Sequence, residues 1–297
     1  MADPLDVLRG PDGPAHPDPV FADRLRARLA RALTAPEGVV MSNPTVDLPA
    51  ATPTPASADE GDGDVGYFSL WVADLDRAVA FYGAVLGWTY AERNPHARTI
   101  HGPSPRALVA LDAPNAEFWP DPRPGAFVSR TVADIDAAVA KVRAAGGRAT
   151  DPQETPYGRS ADCVDDQGLP FSLHERAPGT PRPATNGADP GDVAYLTMLV
   201  PDTAPARRFY GDVFGWAFTP GRINDGWGIE GPAPMSGLSG GHEHAALVPM
   251  YRVDDVAAAV DRVRAAGGTA TDPEQLPYGI SSDCTDDQGL PFYLGQL

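Results

Sequence analysis

Four times along the chain the same pattern of apolar and polar positions appears. A short apolar run reads as a strand. An Asp follows, then an apolar stripe at helical spacing, then a closing glycine and short strand candidates. In the first copy Gly66–Val72 (GYFSLWV) is the strand. Asp74 caps a helix carrying Val79, Phe81, Tyr82, Val85 and Leu86, and Gly87 stands where a helix C-terminal glycine is expected. Trp88 opens the next strand, with further strand candidates around Thr99–Ile100 and Ala107–Leu111. Phe127–Val132 begins the second copy: Asp134 is the cap, Ile135, Val139 and Val142 line one helix face, and Gly146-Gly147 closes it. Three more strands lead through Phe171–Leu173. VADLDRAVAFYGAVLGW at Val72 and VADIDAAVAKVRAAGG at Val132 are thus related half-repeats. VPDTAPARRFYGDVFGW at Val200 and VDDVAAAVDRVRAAGG at Val253 repeat them.

The larger period is a tandem duplication. Gly146–Leu173 (GGRATDPQETPYGRSADCVDDQGLPFSL) returns 121 residues later as Gly267–Leu294 (GGTATDPEQLPYGISSDCTDDQGLPFYL). Two domains are therefore expected, over residues 65–176 and 191–297, joined by a linker at 177–190 rich in Pro, Gly and Thr. Residues 1–46 read as a separate helical extension. Asp18-Pro19 is a good helix start, and Phe21, Leu25, Leu29 and Leu33 form one stripe among Arg24, Arg26, Arg28 and Arg31. Residues 47–64 have almost no bulky apolar side chain and read as a disordered linker.

Composition narrows the partners. The chain has 297 residues and a formal charge of −17, which repels phosphate backbones and anionic membrane surfaces. No apolar run approaches the roughly 18–20 residues that span a bilayer, and MADPLDVLRGPDGP lacks the features of a signal peptide. The expectation is a cytoplasmic protein without nucleic-acid or membrane partners, with a homodimer left open. Cys163 and Cys284, at equivalent places in the repeats, read as small core residues.

The V-x-D-[LI] strand exits, FYG-x-V-[LF]-GW helix ends, AAGG helix ends and final D-x-QG-x-PF strands resemble the vicinal oxygen chelate superfamily. Its members include glyoxalases, bleomycin-resistance proteins and extradiol dioxygenases, and the double layout is similar to actinobacterial glyoxalase-like proteins. The resemblance covers about residues 66–175 and 193–297. It implies an α+β fold of two tandem domains, each of two βαβββ units forming a cupped, mostly antiparallel, eight-stranded sheet, plus the N-terminal helix. Metal-using members carry His and Glu ligands seven residues before each helix-cap Asp and four after the glycine of the last turn. Here those positions hold Tyr67, Phe127 and Ser172 in one domain, and Tyr195, Val248 and Tyr293 in the other. None is a usual divalent-metal ligand, so neither a metal nor another cofactor is expected.

Other candidates carry less. His174 shares the parity of Ser172, and Glu175 points the other way. Gly240–His244 (GGHEH) has the composition of a metal clip but no third ligand, and His96 and His101 flank a variable turn. Asp165-Asp166 and Asp286-Asp287 suit general acid–base work, but their place before a final strand fits turn chemistry better.

Strand parity then gives the cup lining: Tyr67, Ser69, Trp71, Phe127, Ser129, Thr131 and Ser172 in the first domain. In the second it gives Tyr195, Thr197, Leu199, Val248, Met250, Arg252 and Tyr293. The reading is a small-molecule-binding protein of the bleomycin-resistance type that lacks the usual metal ligands and holds an apolar or aromatic ligand, with Arg252 meeting an anionic group. Two alternatives stand beside it. One is a glyoxalase-like lyase, isomerase or oxygenase with a relocated or absent metal. The other is an interaction protein acting through its N-terminal helix.

Overall fold

Four aspartates start four helices. In the computed structural model, which describes residues 62–102, 106–119, 121–176 and 187–297, Asp74 caps α1 (Leu75–Leu86) and Asp134 caps α2 (Ile135–Ala144). Asp202 caps α3 (Thr203–Phe214) and Asp255 caps α4 (Val256–Ala265). Each carboxylate accepts a first-turn backbone N–H at 2.8–3.0 Å. Gly87 and Gly215 end α1 and α3 in the left-handed region, at φ 70° and 73°. The helix expected after Asp18 and the linker up to residue 61 lie outside the described residues.

The first sheet contains β1 (Val65–Val72), β2 (Tyr90–Asn94), β3 (Ala97–Ile100), β4 (Arg106–Ala110) and β5 (Gly125–Thr131). It continues with β6 (Arg148–Ala149), β7 (Gln153–Thr155), β8 (Gly158–Val164) and β9 (Pro170–Arg176). The spatial order is β2-β3-β4-β1-β5-β9-β8-β6, with β7 also on β8. The second sheet repeats it with β10 (Val193–Leu199), β11 (Ala217–Pro220), β12 (Gly226–Glu230), β13 (Ser236–Ser239) and β14 (Ala246–Arg252). Its remaining strands are β15 (Thr269–Ala270), β16 (Glu274–Leu276), β17 (Gly279–Thr285) and β18 (Pro291–Gln296). Nine strands per sheet replace the eight expected. The extra one arises where Asp151-Pro152 and Asp272-Pro273 split the segment after a helix into two short pieces. Each sheet is mixed, because the last strand of a unit lies parallel to its first: β1 with β4, β5 with β9.

The helices lie between the sheets, and each domain's helices pack on the other's: α1 against α4, α2 against α3. Phe68, Leu70 and Val72 of β1 share one core with Leu196 and Met198 of β10. The repeated motifs form this junction. In the final turns, Asp165 Oδ1 accepts from Gln167 and Leu169 N–H at 2.9 and 2.8 Å, as Asp turn chemistry predicts. Its other oxygen accepts from Tyr210 of the opposite domain at 2.9 Å. Asp286 does the same, taking the Tyr82 hydroxyl at 3.0 Å. Gln288 exchanges two hydrogen bonds with the Asp74 backbone, Gln167 does so with Asp202, and Arg77 binds Asp287. The second glycine of each AAGG is also needed. A Cβ on Gly268 would stand 2.4 Å from Thr285 O and 2.9 Å from the Phe81 ring, and Gly147 meets Val164 O and Phe209 in the same way.

The strand starts complete the junction. Trp88 Nε1 and Arg106 both donate to Gly191 O, at 2.9 and 2.7 Å, and Arg106 pairs with buried Asp192 at 3.0 Å. Arg130 donates to Gly63 O at 2.8 Å and lies 4.6 Å over the Trp216 ring. Gly63 and Asp64, placed in the disordered linker by sequence, are therefore ordered. Asp64 is buried and accepts from Ala233 N at 2.6 Å. Cys163 and Cys284 are buried free thiols, as expected.

Tyr82→Phe or Tyr210→Phe leaves a buried carboxylate oxygen without its partner. Each is expected to lower stability by about 1–3 kcal/mol in urea unfolding. Burial holds the hydroxyls of Tyr82, Tyr210 and Tyr251 protonated well above the ordinary range. Above about pH 10 the unfolded chain loses those protons and the folded chain keeps them. Stability then falls by roughly 1.4 kcal/mol per pH unit for each of the three. Tyrosinate absorbance from these three phenols should appear only together with the loss of far-ultraviolet circular dichroism, above about pH 10.

Candidate functional site

Each sheet has a second face, turned away from the helices, and the residues chosen by parity share it. Cross-strand register sets them in rows. In the first cup Tyr67 of β1 pairs with Ser129 of β5, Ser129 with Ser172 of β9, and Ser172 with Asp162 of β8. Ser69 pairs with Phe127 one step along. In the second cup the same row reads Tyr195, Met250, Tyr293 and Asp283, with Thr197 opposite Val248. After a register shift between Val65 and Tyr67, Tyr67 stands opposite Ser129 and Ser69 opposite Phe127.

The first cup is partly filled by its own aromatics. Trp71 stacks on Phe127 with centroids 4.7 Å apart, and Trp119 meets both edge-on at 5.5 and 5.4 Å. Val164 completes the cluster, with Val109, Leu111 and Phe118 packed against it. Trp71 and Phe127 thus form a buried aromatic block at one end of the cup. The segment after β4 supplies Trp119 and is pinned down: Asn115 donates to Asp162 at 2.8 Å, and Trp119 Nε1 to Cys163 O at 3.4 Å. The row of hydroxyls lies beside this block. Ser69 Oγ and Thr131 Oγ1 are buried with no protein hydrogen-bond partner. Burial pushes the Asp162 carboxyl up, and the Asn115 amide pulls it back.

The second cup has no such segment, because residues 240–245 alone join β13 to β14. Tyr195 and Met250 are fully buried under Tyr278 and Tyr293. Gly237 makes room for the Tyr195 hydroxyl, which a Cβ there would meet at 2.1 Å. Thr197 Oγ1 lies against the Tyr293 hydroxyl without closing a hydrogen bond of normal geometry. Burial, then the Asp283 carboxylate, pushes that phenol up to about 12. Arg252 stands at the end of β14 with its guanidinium on the carbonyls of Gly187 and Ala188. It is tied to the segment before β10.

The remaining candidates take structural places. His174 pairs in register with Thr131 and Ser160, and Glu175 accepts the first backbone N–H of α2 at 2.8 Å. His242 contacts Ser239 at 3.1 Å, and burial lowers its basicity. His244 lies 3.6 Å from its neighbour Glu243, and His96 lies 2.9 Å from Asp112. Among the described residues no three or more His, Cys, Asp or Glu side chains gather as a metal site.

Comparisons with known proteins agree with this architecture. Residues 64–173 match the Glyoxalase/Bleomycin resistance protein/Dioxygenase superfamily model. Over residues 64–173 the chain is thus similar to the vicinal oxygen chelate superfamily. CFP32 of Mycobacterium tuberculosis, which carries a glyoxylase name, is 38% identical over 109 residues. That match takes in 35% of this chain and spans only 40% of the relative's length. The anthracycline biosynthesis protein DauV of a Streptomyces species is 27% identical over 264 residues, 79% of this chain and 94% of that one. Among solved structures, the Mn(II)-bound glyoxalase of Novosphingobium aromaticivorans aligns with TM-score 0.61 and 18% identity, over 79% of this chain and 82% of that one. Homoprotocatechuate 2,3-dioxygenase of Brevibacterium fuscum aligns with TM-score 0.58 and 15% identity, over 82% of each chain. At these identities the structures establish a shared fold.

A metal of the superfamily type does not fit the residues present. The positions that would hold it carry phenols, a hydroxyl, a phenyl ring and an isopropyl group, and a divalent ion needs about three imidazole, carboxylate or thiolate donors. Sequence reasoning missed Trp119 and the Asn115–Asp162 contact. The signal was present in the longer spacing between β4 and β5 and its Phe118-Trp119 pair.

Trp119→Ala should cost about 3–5 kcal/mol of stability as a large-to-small core change. It should also raise acrylamide quenching of the remaining tryptophan fluorescence, because Trp71 loses its cover. Asn115→Ala should have a much smaller effect on stability.

Proposed function

We propose that this protein binds a planar aromatic small molecule in a sheet cup, without a divalent metal. The observation that carries this reading is the first cup's row of hydroxyls beside an aromatic wall, with Ser69 Oγ buried and unpaired. A buried hydroxyl without a partner costs free energy that a bound polar group would recover. Aromatic walls add about 0.5–1.5 kcal/mol per well-placed ring pair beyond the area buried. The ligand's ring is held by burial and stacking, and its polar groups are oriented by Ser69, Ser129 and Ser172. The similarity to DauV, whose name refers to anthracycline biosynthesis, supports a fused-ring aromatic as the ligand class.

Two measurements test this. Elemental analysis after purification without chelator should find no stoichiometric Zn, Ni, Mn or Fe, and adding these ions should not shift the melting temperature. Hydroxylated polycyclic aromatics should raise it by mass action, by the equivalent of about 2.7 kcal/mol at a hundredfold excess over Kd. Ser69→Ala should weaken that binding by roughly tenfold or less, the range of one neutral hydrogen bond. Stoichiometric metal with a clear thermal shift would defeat the metal-free reading.

A further inference from the structure

The two cups carry the same flap in opposite states. Pro156–Tyr157–Gly158 leads from β7 into β8, and Pro277–Tyr278–Gly279 repeats it between β16 and β17. Tyr278 is packed on Tyr195, Met250 and Tyr293, whereas Tyr157 is 67% exposed. The tripeptide is the same, its flanks differ (Thr155 and Arg159 against Leu276 and Ile280), and so does the floor beneath it. Where the second cup has Met250 and Tyr293, the first has Ser129 and Ser172. The rest of the floor is retained in kind: Tyr67 for Tyr195, Ser69 for Thr197, Asp162 for Asp283. Tyr195 is 1% exposed and its counterpart Tyr67 is only half-buried.

Tyr293 therefore behaves as a ligand built into the second cup. Its phenol packs against Met250, brings its hydroxyl beside Thr197 and lies under Tyr278. The first cup lacks that ring but keeps Tyr67, Ser69 and Asp162 around its place. Resting on the binding reading above, we propose that the first cup takes a neutral phenolic ligand in the place Tyr293 holds in the second. Its ring lies over Ser129 and Ser172, its hydroxyl meets Ser69 Oγ, and Tyr157 folds over it as Tyr278 does. The Asp162 carboxylate at the end of the row repels a phenolate and so selects the protonated form. The second cup, occupied by its own side chains, takes no ligand.

The probe is p-cresol, which is the tyrosine side chain itself, titrated against the full chain by calorimetry and ligand-observed NMR. One site is expected, with Kd of the order of 1 mM for a molecule of this size. Toluene, lacking the hydroxyl, should bind several-fold more weakly, within roughly tenfold. Tyr157→Ala should weaken p-cresol by roughly two- to tenfold through the lost ring contact. Ser172→Tyr should abolish binding and protect Tyr157 from iodination, copying the second cup. Tyr293→Ser should raise the stoichiometry from one to two, which keeps the test open if Ser172→Tyr does not fold. Absence of p-cresol binding up to about 20 mM, twentyfold above the expected Kd, overturns the proposal. Equal binding by the wild-type chain and both Tyr157→Ala and Ser172→Tyr also overturns it. A polycyclic aromatic that binds wild type and Ser172→Tyr alike would retain the wider reading and remove only this one. Failure of every aromatic would remove both.

Discussion

Two buried carboxylates, Asp165 and Asp286, hold the molecule in its present form. Each closes its own turn with one oxygen and reaches the opposite domain's tyrosine with the other. A buried carboxylate is costly unless its lone pairs are filled, so turn and partner helix must be present together. Local turn geometry is thereby linked to domain pairing. The link fixes the helices between the sheets, and that in turn leaves the two open faces pointing away from the junction.

The duplication was exploited unequally. Residues that build the junction recur with little change: both Asp-Asp-Gln-Gly turns, both Phe-Tyr pairs, both Gly-Gly helix ends and both Gly-Trp pairs. Residues on the open faces differ. The first sheet carries Trp71, Phe127 and a longer segment with Trp119, while the second carries Met250 and Tyr293. A junction with partners in both domains tolerates little substitution, because each side chain satisfies a buried group across the interface. The open faces answer only to their own contents. One scaffold therefore carries one self-filled cup and one with a row of small hydroxyls.

The arginines show how an acidic chain spends its few cations. Arg106 and Arg130 are buried beside the two strand starts, one paired with Asp192 and the other stacked on Trp216. Arg77 closes the outside of the clasp on Asp287. These contacts use guanidinium geometry, a planar fork on carbonyl and carboxylate oxygens and a flat face on indole. Arg252, which parity aims at the cup, is likewise occupied, with backbone carbonyls.

The sequence by itself determined the elements: four capped helices, the strand faces, the tandem repeat and the turn role of Asp165 and Asp286. Those signals are short-range, being caps, periodicity and turn residues that act within a few positions. It also placed Tyr67, Ser129 and Ser172 on one face by alternation alone. Only the tertiary structure decided what the motifs are for. Tyr210 meets Asp165 and Tyr82 meets Asp286 across the domain boundary, and no local pattern encodes a partner 45 or 204 residues away. It also decided that Trp71 packs under Trp119, that Gly63 and Asp64 belong to the fold, and that two copies of Pro-Tyr-Gly differ in exposure. A side chain's state follows from the surface it can reach, and that surface is assembled from strands distant in sequence.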